Sequence, residues 1–137
     1  MASPKRNLPS VSIRFRSPAW EEEVERLDRR SAARIQAERA RREIEGGKAT
    51  LAWKRCKAEN DDRTELAGCS KLYVPLDADG ASAAPHGFVF RLAKTEDDEL
   101  VWNFIAFGER HPKNPSTRSV YERAHKRIHG RYPDQSA

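Results

Sequence analysis

Cationic side chains cluster in the last part of the chain, over residues 106–133. This stretch contains Arg110, Lys113, Arg118, Arg123, Lys126, Arg127 and Arg131 against only two acids, Glu109 and Glu122. His111 adds a side chain that can exchange a proton near neutral pH. Guanidinium and ammonium groups bind phosphate, and imidazole can act as a general acid or base. The composition is therefore typical of a site for a phosphodiester or another polyanion.

Two further cationic groups lie upstream of this stretch. Arg91 stands in FVFRLA, where strand alternation points it away from the apolar residues on either side. The run KRCK supplies Lys54, Arg55 and Lys57. If Arg91, KRCK and the Arg110–His111 pair converge on one face of a sheet, they form a phosphate-sized cationic pocket. The alternative is a scattered basic surface.

Neither the histidines nor the cysteines predict a metal site. His125 and His129 have the spacing of a metal-binding pair on a helix, but no third ligand and no HExxH glutamate accompany them. Cys56 and Cys69 form neither a disulfide scaffold nor a zinc motif. Two isolated cysteines are typical of a reducing compartment, and we expect a cytoplasmic protein.

The totals predict one basic domain. The 137 residues carry a net charge of +5, with 37% apolar and 34% charged residues, and the isoelectric point is near 9.5. Such a balance favours a polyanionic partner. No stretch approaches the roughly 20 apolar residues of a membrane span, and the N-terminus has no secretory apolar core. We expect a flexible basic tail over 1–10, a folded domain over 11–130 and a C-terminal tail over 131–137.

The first half of the chain predicts one strand and two helices. VSIRFR (11–16) alternates apolar and polar residues, as in a half-buried strand. One helix is expected from the N-cap Ser17, and another from about Ser31 to the Gly46-Gly47 pair. Their apolar stripes are Trp20, Val24 and Leu27 in the first, and Ala33, Ala37, Ala40 and Ile44 in the second. Residues 48–70 show no clear period and predict a loop with some helical turn.

The second half predicts three strands and a helix. KLYVPL (71–76) is a short strand in which Pro75 favours an edge or a bulge. FVFRLA (88–93) and LVWNFIAF (100–107) predict an antiparallel hairpin whose second strand, apolar on both faces, is central. The last helix is expected between a Ser119–Glu122 capping box and Gly130. The order β-α-α-β-β-β-α predicts an α+β fold, a small and mostly antiparallel sheet with helices packed on one face.

Several of these segments together resemble the RelE/ParE superfamily of toxin–antitoxin toxins, and within it the HigB-like branch. The segments are VSIRFRSPAWEEEVERL, KLYVPL, FRLAKTEDDELVWNFIAF and GERHPKNP. Phe90-Arg91, Ala106-Phe107, Arg110 and Asn114-Pro115 occupy the positions of the family's short motifs, and ERAHKR matches its basic terminal helix. The resemblance covers roughly residues 11–129 and implies a RelE-like fold.

The resemblance implies a type II toxin that inhibits growth as a ribosome-dependent mRNA endoribonuclease, an mRNA interferase. In such enzymes the RNA 2′-hydroxyl attacks the adjacent phosphate without a metal or other cofactor. By position, Arg91 would be the phosphate clamp, Arg110 would assist it, and His111 would be the general acid or base. RNA and phosphate binding would fall to Lys54, Arg55, Lys57, Lys113, Arg118, Arg123, Lys126 and Arg127. The implied partners are a cognate antitoxin protein, acidic or with an acidic segment, and the ribosome with its mRNA.

Some features depart from the family's pattern, and other functions stay open. Glu109-Arg110 stands where the family has paired lysines, the loop DADGASAAPHG (77–87) is long, and the C-terminal helix is extended by HGRYPDQSA. One alternative is a non-catalytic ParE-like toxin that inhibits DNA gyrase. Another is a basic nucleic-acid-binding regulatory protein on the same fold.

Overall fold

The structure is a computed structural model that describes residues 11–14, 17–45, 53–60, 63–76, 85–94, 96 and 100–133. Within these ranges the elements in chain order are β1 (Val11–Arg14), α1 (Ser17–Trp20), a π-helical segment (Glu21–Glu25), α2 (Ala32–Glu45), β2 (Trp53–Arg55), β3 (Ser70–Val74), β4 (His86–Lys94), β5 (Leu100–Glu109) and α3 (Val120–His129). The predicted tail over 1–10 and residues 134–137 of the predicted C-terminal tail lie outside the described residues.

The strands form one sheet in the order β1-β5-β4-β3-β2. Strands β2 to β5 are antiparallel, and β1 is parallel to β5. The α+β class, the β4–β5 hairpin and the internal position of β5 are therefore confirmed. The prediction of a loop over 48–70 is wrong at β2, because three residues are too short to show an alternating pattern. Pro75 does not mark an edge: β3 ends just before it and lies between β2 and β4.

Helices cover both faces of the sheet. α1, the π-helical segment and α2 form a helical hairpin that packs on one face of the sheet, and α3 packs on the other. We call the first the hairpin face, after the helical hairpin, and the second the α3 face. The hairpin-face core includes Trp20, Val24, Ala37, Ile44, Phe88, Phe90, Phe104 and Phe107. The α3-face core includes Val89, Ile105, Ala106, Val120 and Ala124. The prediction of helices on one face is wrong because β5 is apolar on both faces, and each apolar face needs its own cover.

A bulge in β5 divides its apolar residues between the two cores. Val89 pairs with Ala106 but Phe90 pairs with Phe104, so Ile105 is the extra residue. Phe104 and Phe107 consequently both point into the hairpin-face core, three positions apart. Trp20 lies edge-on to Phe104 at 5.2 Å between ring centroids.

The predicted helix signals match the helices that form. Trp20 and Val24 are buried with Leu27 packed against them, and Ala37, Ala40 and Ile44 are the buried stripe of α2. In α3 the Ser119 hydroxyl accepts the Glu122 N–H at 3.1 Å, and Ser119 N–H donates to Glu122 Oε1 at 2.9 Å. Gly130 ends α3 with φ of +85°, a left-handed conformation that favours glycine.

One buried carboxylate joins the two helical layers. Glu23 is 2% exposed, and its Oε1 accepts the Phe107 N–H of β5 at 3.2 Å. Arg123 of α3 donates from Nε and Nη2 to the two carboxylate oxygens at 2.7 and 2.6 Å, and Arg127 Nη2 donates at 2.9 Å. We call these contacts of Glu23 the Glu23 clasp. The clasp joins the helical hairpin to α3 at Phe107, beyond the part of β5 (Leu100–Asn103) that pairs with β1.

Candidate functional site

Three cationic groups surround one tyrosine ring on the α3 face. The Arg110 guanidinium carbon lies 3.6 Å from the centroid of the Tyr73 ring. Lys54 Nζ is 5.2 Å and Lys71 Nζ 5.7 Å from the same centroid. Cations over an aromatic ring are attracted to its negative face, but they repel one another. We call Lys54, Lys71, Tyr73, Arg110 and Tyr121 the cation cluster.

The strands place this cluster by simple alternation. In β3, Leu72 and Val74 are buried in the hairpin-face core, so Lys71 and Tyr73 point to the α3 face. Lys54 pairs with Lys71 in the neighbouring strand β2. A methyl group on Gly87 of β4 would lie 3.5 Å from Arg110 Cγ. The Arg110 side chain therefore lies directly over Gly87.

Arg110 is held on both sides. Its backbone N–H donates to the carbonyl of Pro85 at 2.7 Å, which fixes the chain just after β5. Its Nε donates to the hydroxyl of Tyr121 at 3.2 Å. Lys71 Nζ also lies 5.4 Å from the Tyr121 ring, so both tyrosines belong to one arrangement. A guanidinium fixed in this way is pre-oriented to bind a planar or tetrahedral anion.

His111 lies at the margin of the cluster. Its side chain is exposed, and its ring centroid is 6.4 Å from that of Tyr121. An imidazole and a phenol next to a guanidinium are groups that could exchange protons with a bound anionic substrate. The arrangement can therefore both neutralise a phosphate and move protons at it.

Glu109 does not oppose the cluster. Strand alternation places it on the hairpin face with Phe107 and opposite His86, with which it pairs in the sheet. His86 stacks on Phe107 at 5.4 Å between centroids. Burial lowers the pKa of His86, and Glu109 partly opposes that shift. Glu109 is thus turned away from Arg110.

Arg91 lies on the α3 face but apart from the cluster. It is exposed, pairs with Asn103 across the β4–β5 ladder, and stands four residues along β4 from Gly87. At a rise of about 3.3 Å per residue, this separates it from the Arg110 end of the strand by roughly 13 Å. The sheet therefore brings Lys54, Arg110 and His111 together and leaves Arg91 in a different place.

The remaining predicted phosphate-binding residues are spread over the surface. Arg55 alternates with Lys54 in β2 and points to the other face, while Lys57 and Lys113 are exposed outside the cluster. Arg118 lies 4.2 Å over the Tyr132 ring and 3.4 Å from Glu122. Lys126 Nζ is 5.5 Å from that same ring.

Arg123 and Arg127 have a structural role in the Glu23 clasp. The hydrogen bond to Glu23 is the main reason that the pKa of Arg123 is raised. Arg127 also contacts Glu22 at 2.9 Å. Their charges are thus balanced within the protein rather than offered to a ligand.

The two histidines with metal-pair spacing instead bind the backbone. His125 Nδ1 accepts the Glu65 N–H at 2.9 Å, and His129 Nε2 lies 3.0 Å from the Glu65 carbonyl oxygen. The two rings are 4.4 Å apart. Across the ranges that the structure describes, no group of three or more His, Cys, Asp and Glu residues could hold a metal ion.

Cys56 and Cys69 are buried free thiols on neighbouring strand ends. The Cys56 N–H donates to the Cys69 carbonyl at 3.0 Å. Burial raises the pKa of Cys56 to about 11, with Cys69 adding to the shift. Burial also raises the pKa of Cys69, although a hydrogen bond with Arg91 opposes this. Neither thiol has the thiolate character of a nucleophile.

We expect both thiols of the folded protein to react slowly with Ellman's reagent near pH 8. With a pKa of about 11, about one Cys56 in a thousand is thiolate at that pH, against roughly a quarter for an ordinary cysteine. In denaturant, both thiols should react rapidly with the reagent. Rapid labelling of Cys56 in the folded protein would contradict its assignment as a buried, protonated thiol.

Sequence reasoning did not find Lys71, Tyr73 or the hydroxyl role of Tyr121. The first two could have been found from KLYV, because residues that alternate with buried Leu72 and Val74 must face the other way. Tyr121 packs against the α3-face core, and its hydroxyl also positions Arg110.

No family model, curated protein or solved structure matches the chain. In the part of the chain that the structure describes, no helix has both the length and the apolar character needed to cross a membrane.

Proposed function

We propose that this protein binds single-stranded RNA at the cation cluster and cleaves it, as a ribosome-dependent mRNA endoribonuclease of the toxin–antitoxin type. The observation that supports this is the fixed guanidinium of Arg110. It is stacked on Tyr73, hydrogen-bonded to Tyr121, and accompanied by two lysine amino groups. RNA offers phosphates for the cations and bases for the exposed parts of the aromatic rings.

The proposed reaction uses the RNA's own 2′-hydroxyl as nucleophile. Its oxygen bonds to the adjacent phosphorus while the bond from phosphorus to the 5′-oxygen breaks, which leaves a 2′,3′-cyclic phosphate and a 5′-hydroxyl. Negative charge grows on the non-bridging oxygens, where Arg110 would stabilise it. His111 and the Tyr121 hydroxyl are the candidates for removing the 2′-hydroxyl proton and protonating the leaving oxygen.

The family resemblance adds the biological setting to this proposal. The substrate is mRNA on the ribosome in the cytoplasm, and the partner is a cognate antitoxin protein. An acidic segment of that partner would neutralise the cation cluster. The proposal gives Arg91 no part in this chemistry, because Arg91 stands four residues along β4 from Gly87, over which the Arg110 side chain lies.

RNA binding should depend on salt and on both lysines. For single-stranded RNA, the logarithm of affinity falls with the logarithm of salt by about 0.7 for each phosphate neutralised. We expect Lys54→Gln and Lys71→Gln each to reduce this slope by roughly that amount, measured by fluorescence anisotropy of a labelled RNA. Arg39→Gln on α2 removes the same charge elsewhere and should leave the slope unchanged.

Cleavage is tested by mapping mRNA 5′ ends on translating ribosomes after brief expression of the protein. New ends that carry a 5′-hydroxyl support the endoribonuclease. Arrested growth with intact mRNA would contradict the endoribonuclease and indicate a toxin that acts on gyrase or another target. RNA binding without cleavage or growth arrest would instead indicate a regulatory nucleic-acid-binding protein.

A further inference from the structure

A groove of about 730 Å³ opens on the α3 face at the C-terminal end of α3, apart from the cation cluster. Its apolar lining comes from Ala19 of α1, Ile105 of β5 and Ile128 of α3. Its polar lining comes from Arg91 of β4, Asn103 of β5 and Arg127 of α3. The described lining thus comes from α1, β4, β5 and α3, and the Glu23 clasp joins β5 and α3.

The described lining residues of the groove include two arginines, Arg91 and Arg127, and no acid. Arg127 is already paired at 2.9 Å with both Glu22 and Glu23. Arg91 is exposed, and its described neighbour is the neutral thiol of Cys69, with which it shares a hydrogen bond. Asn103 stands directly opposite Arg91 in the ladder and can donate to the same ligand atom.

This lining fits a carboxylate next to an aliphatic side chain better than it fits RNA. A single available guanidinium and amide suit one carboxylate, whereas an RNA strand presents a charge at every nucleotide. The neighbouring side chains, Ile105 and Ile128, are aliphatic, and the one aromatic residue in the described lining, Phe104, is only 3% exposed. The groove therefore offers no ring on which a base could stack.

We infer that this groove binds an extended acidic peptide of a partner protein, with a peptide carboxylate on Arg91 and Asn103 and an aliphatic side chain against Ile105 and Ile128. The observations are charge complementarity and the aliphatic lining. They are independent of RNA cleavage, because the groove and the cation cluster share no residue.

The probe for this inference is a fluorescein-labelled decapeptide of alternating leucine and aspartate, measured by anisotropy with the full chain. One control peptide replaces aspartate by asparagine, and a second replaces leucine by glycine. We expect the acidic-aliphatic peptide to bind in the micromolar range and each control at least about tenfold more weakly.

Two groove variants and two matched controls locate the site. Arg91→Gln and Asn103→Asp should each weaken binding about tenfold or more, the first by removing the cation and the second by supplying a competing carboxylate. Arg39→Gln and Lys113→Gln remove one charge elsewhere and should change binding less than about twofold. Circular dichroism melting confirms that each variant is folded.

Three results would overturn the inference. The wild type binds none of the peptides at up to about 1 mM. Arg91→Gln binds the acidic peptide as tightly as the wild type does. The third is that Arg91→Gln loses affinity for labelled RNA as strongly as for the peptide, which would make the groove part of a nucleic-acid surface.

Discussion

Replacing Glu23 by alanine is expected to lower the free energy of unfolding by about 3 kcal/mol. The carboxylate is buried and accepts four hydrogen bonds, from Phe107, Arg123 and Arg127. Without it, two arginines lose their common partner and a backbone N–H loses its acceptor. Removing one partner of a buried ion pair lowers the free energy of unfolding by about 3–5 kcal/mol when the remaining charge is fully buried. Arg123 and Arg127 are 24% and 28% exposed, so water recovers part of this cost.

Thermal unfolding followed by circular dichroism measures the effect. A loss of about 3 kcal/mol should lower Tm by roughly 10 °C in a domain of this size. The control is Glu43→Gln, which removes one partner of the exposed Arg39–Glu43 pair at 3.5 Å. That change should cost less than about 0.5 kcal/mol. Equal effects of the two substitutions would show that Glu23 is not a clasp.

A double substitution separates the clasp from a simple packing effect. If Arg123 acts through Glu23, then Arg123→Gln should cost much less in a Glu23→Gln background than in the wild type. Residues that contact each other directly show coupling energies of about 0.5–3 kcal/mol. Additive effects would mean that the two side chains stabilise the protein separately.

The strands and helices followed from local patterns in the sequence. The alternation of FVFRLA and LVWNFIAF predicted the hairpin, and the Ser119–Glu122 box predicted the start of the last helix. These patterns are visible because each one is complete within a few residues. The sequence of β5 also contradicts the prediction that all helices pack on one face of the sheet. A strand that is apolar on both sides requires cover on both sides.

The clasp and the cation cluster depend on contacts that no local pattern contains. Glu23 and Arg123 are separated by 100 positions, and Glu23 is one of three consecutive glutamates in the sequence. Which of the three becomes buried depends on the π-helical turn and on where α3 docks. The separation of Arg91 from Arg110 likewise depends on the antiparallel register of β4 and β5.

The clasp also matters for the site, because it holds α3 against the sheet. Tyr121 is the second residue of α3, and its hydroxyl accepts the Nε–H of Arg110. A shift of α3 would therefore release the Tyr121 hydroxyl from the guanidinium of Arg110.

Under the proposed function, replacing Arg110 by glutamine is expected to slow RNA cleavage by about 10²–10³. The guanidinium is the group that the structure holds in a fixed orientation, on Tyr73 and Tyr121, and charge on the scissile phosphate increases in the transition state. Removing one such pre-oriented stabiliser costs rate rather than substrate affinity alone. The measurement is single-turnover cleavage of ribosome-bound mRNA, with RNA affinity determined in parallel.

Two comparisons test whether Arg110 acts in this way. Arg110→Lys keeps the charge but loses the planar fork and much of the stacking on Tyr73, so its rate should lie between those of the wild type and the glutamine variant. Arg91→Gln should leave the rate within about twofold, because Arg91 stands four residues along β4 from Gly87, roughly 13 Å from the Arg110 end of the strand. The opposite result, with Arg91→Gln inactive and Arg110→Gln active, would move the scissile phosphate to the Arg91 groove. The family resemblance, which made Arg91 the phosphate clamp, would then describe the chemistry better than the geometry of the cation cluster does.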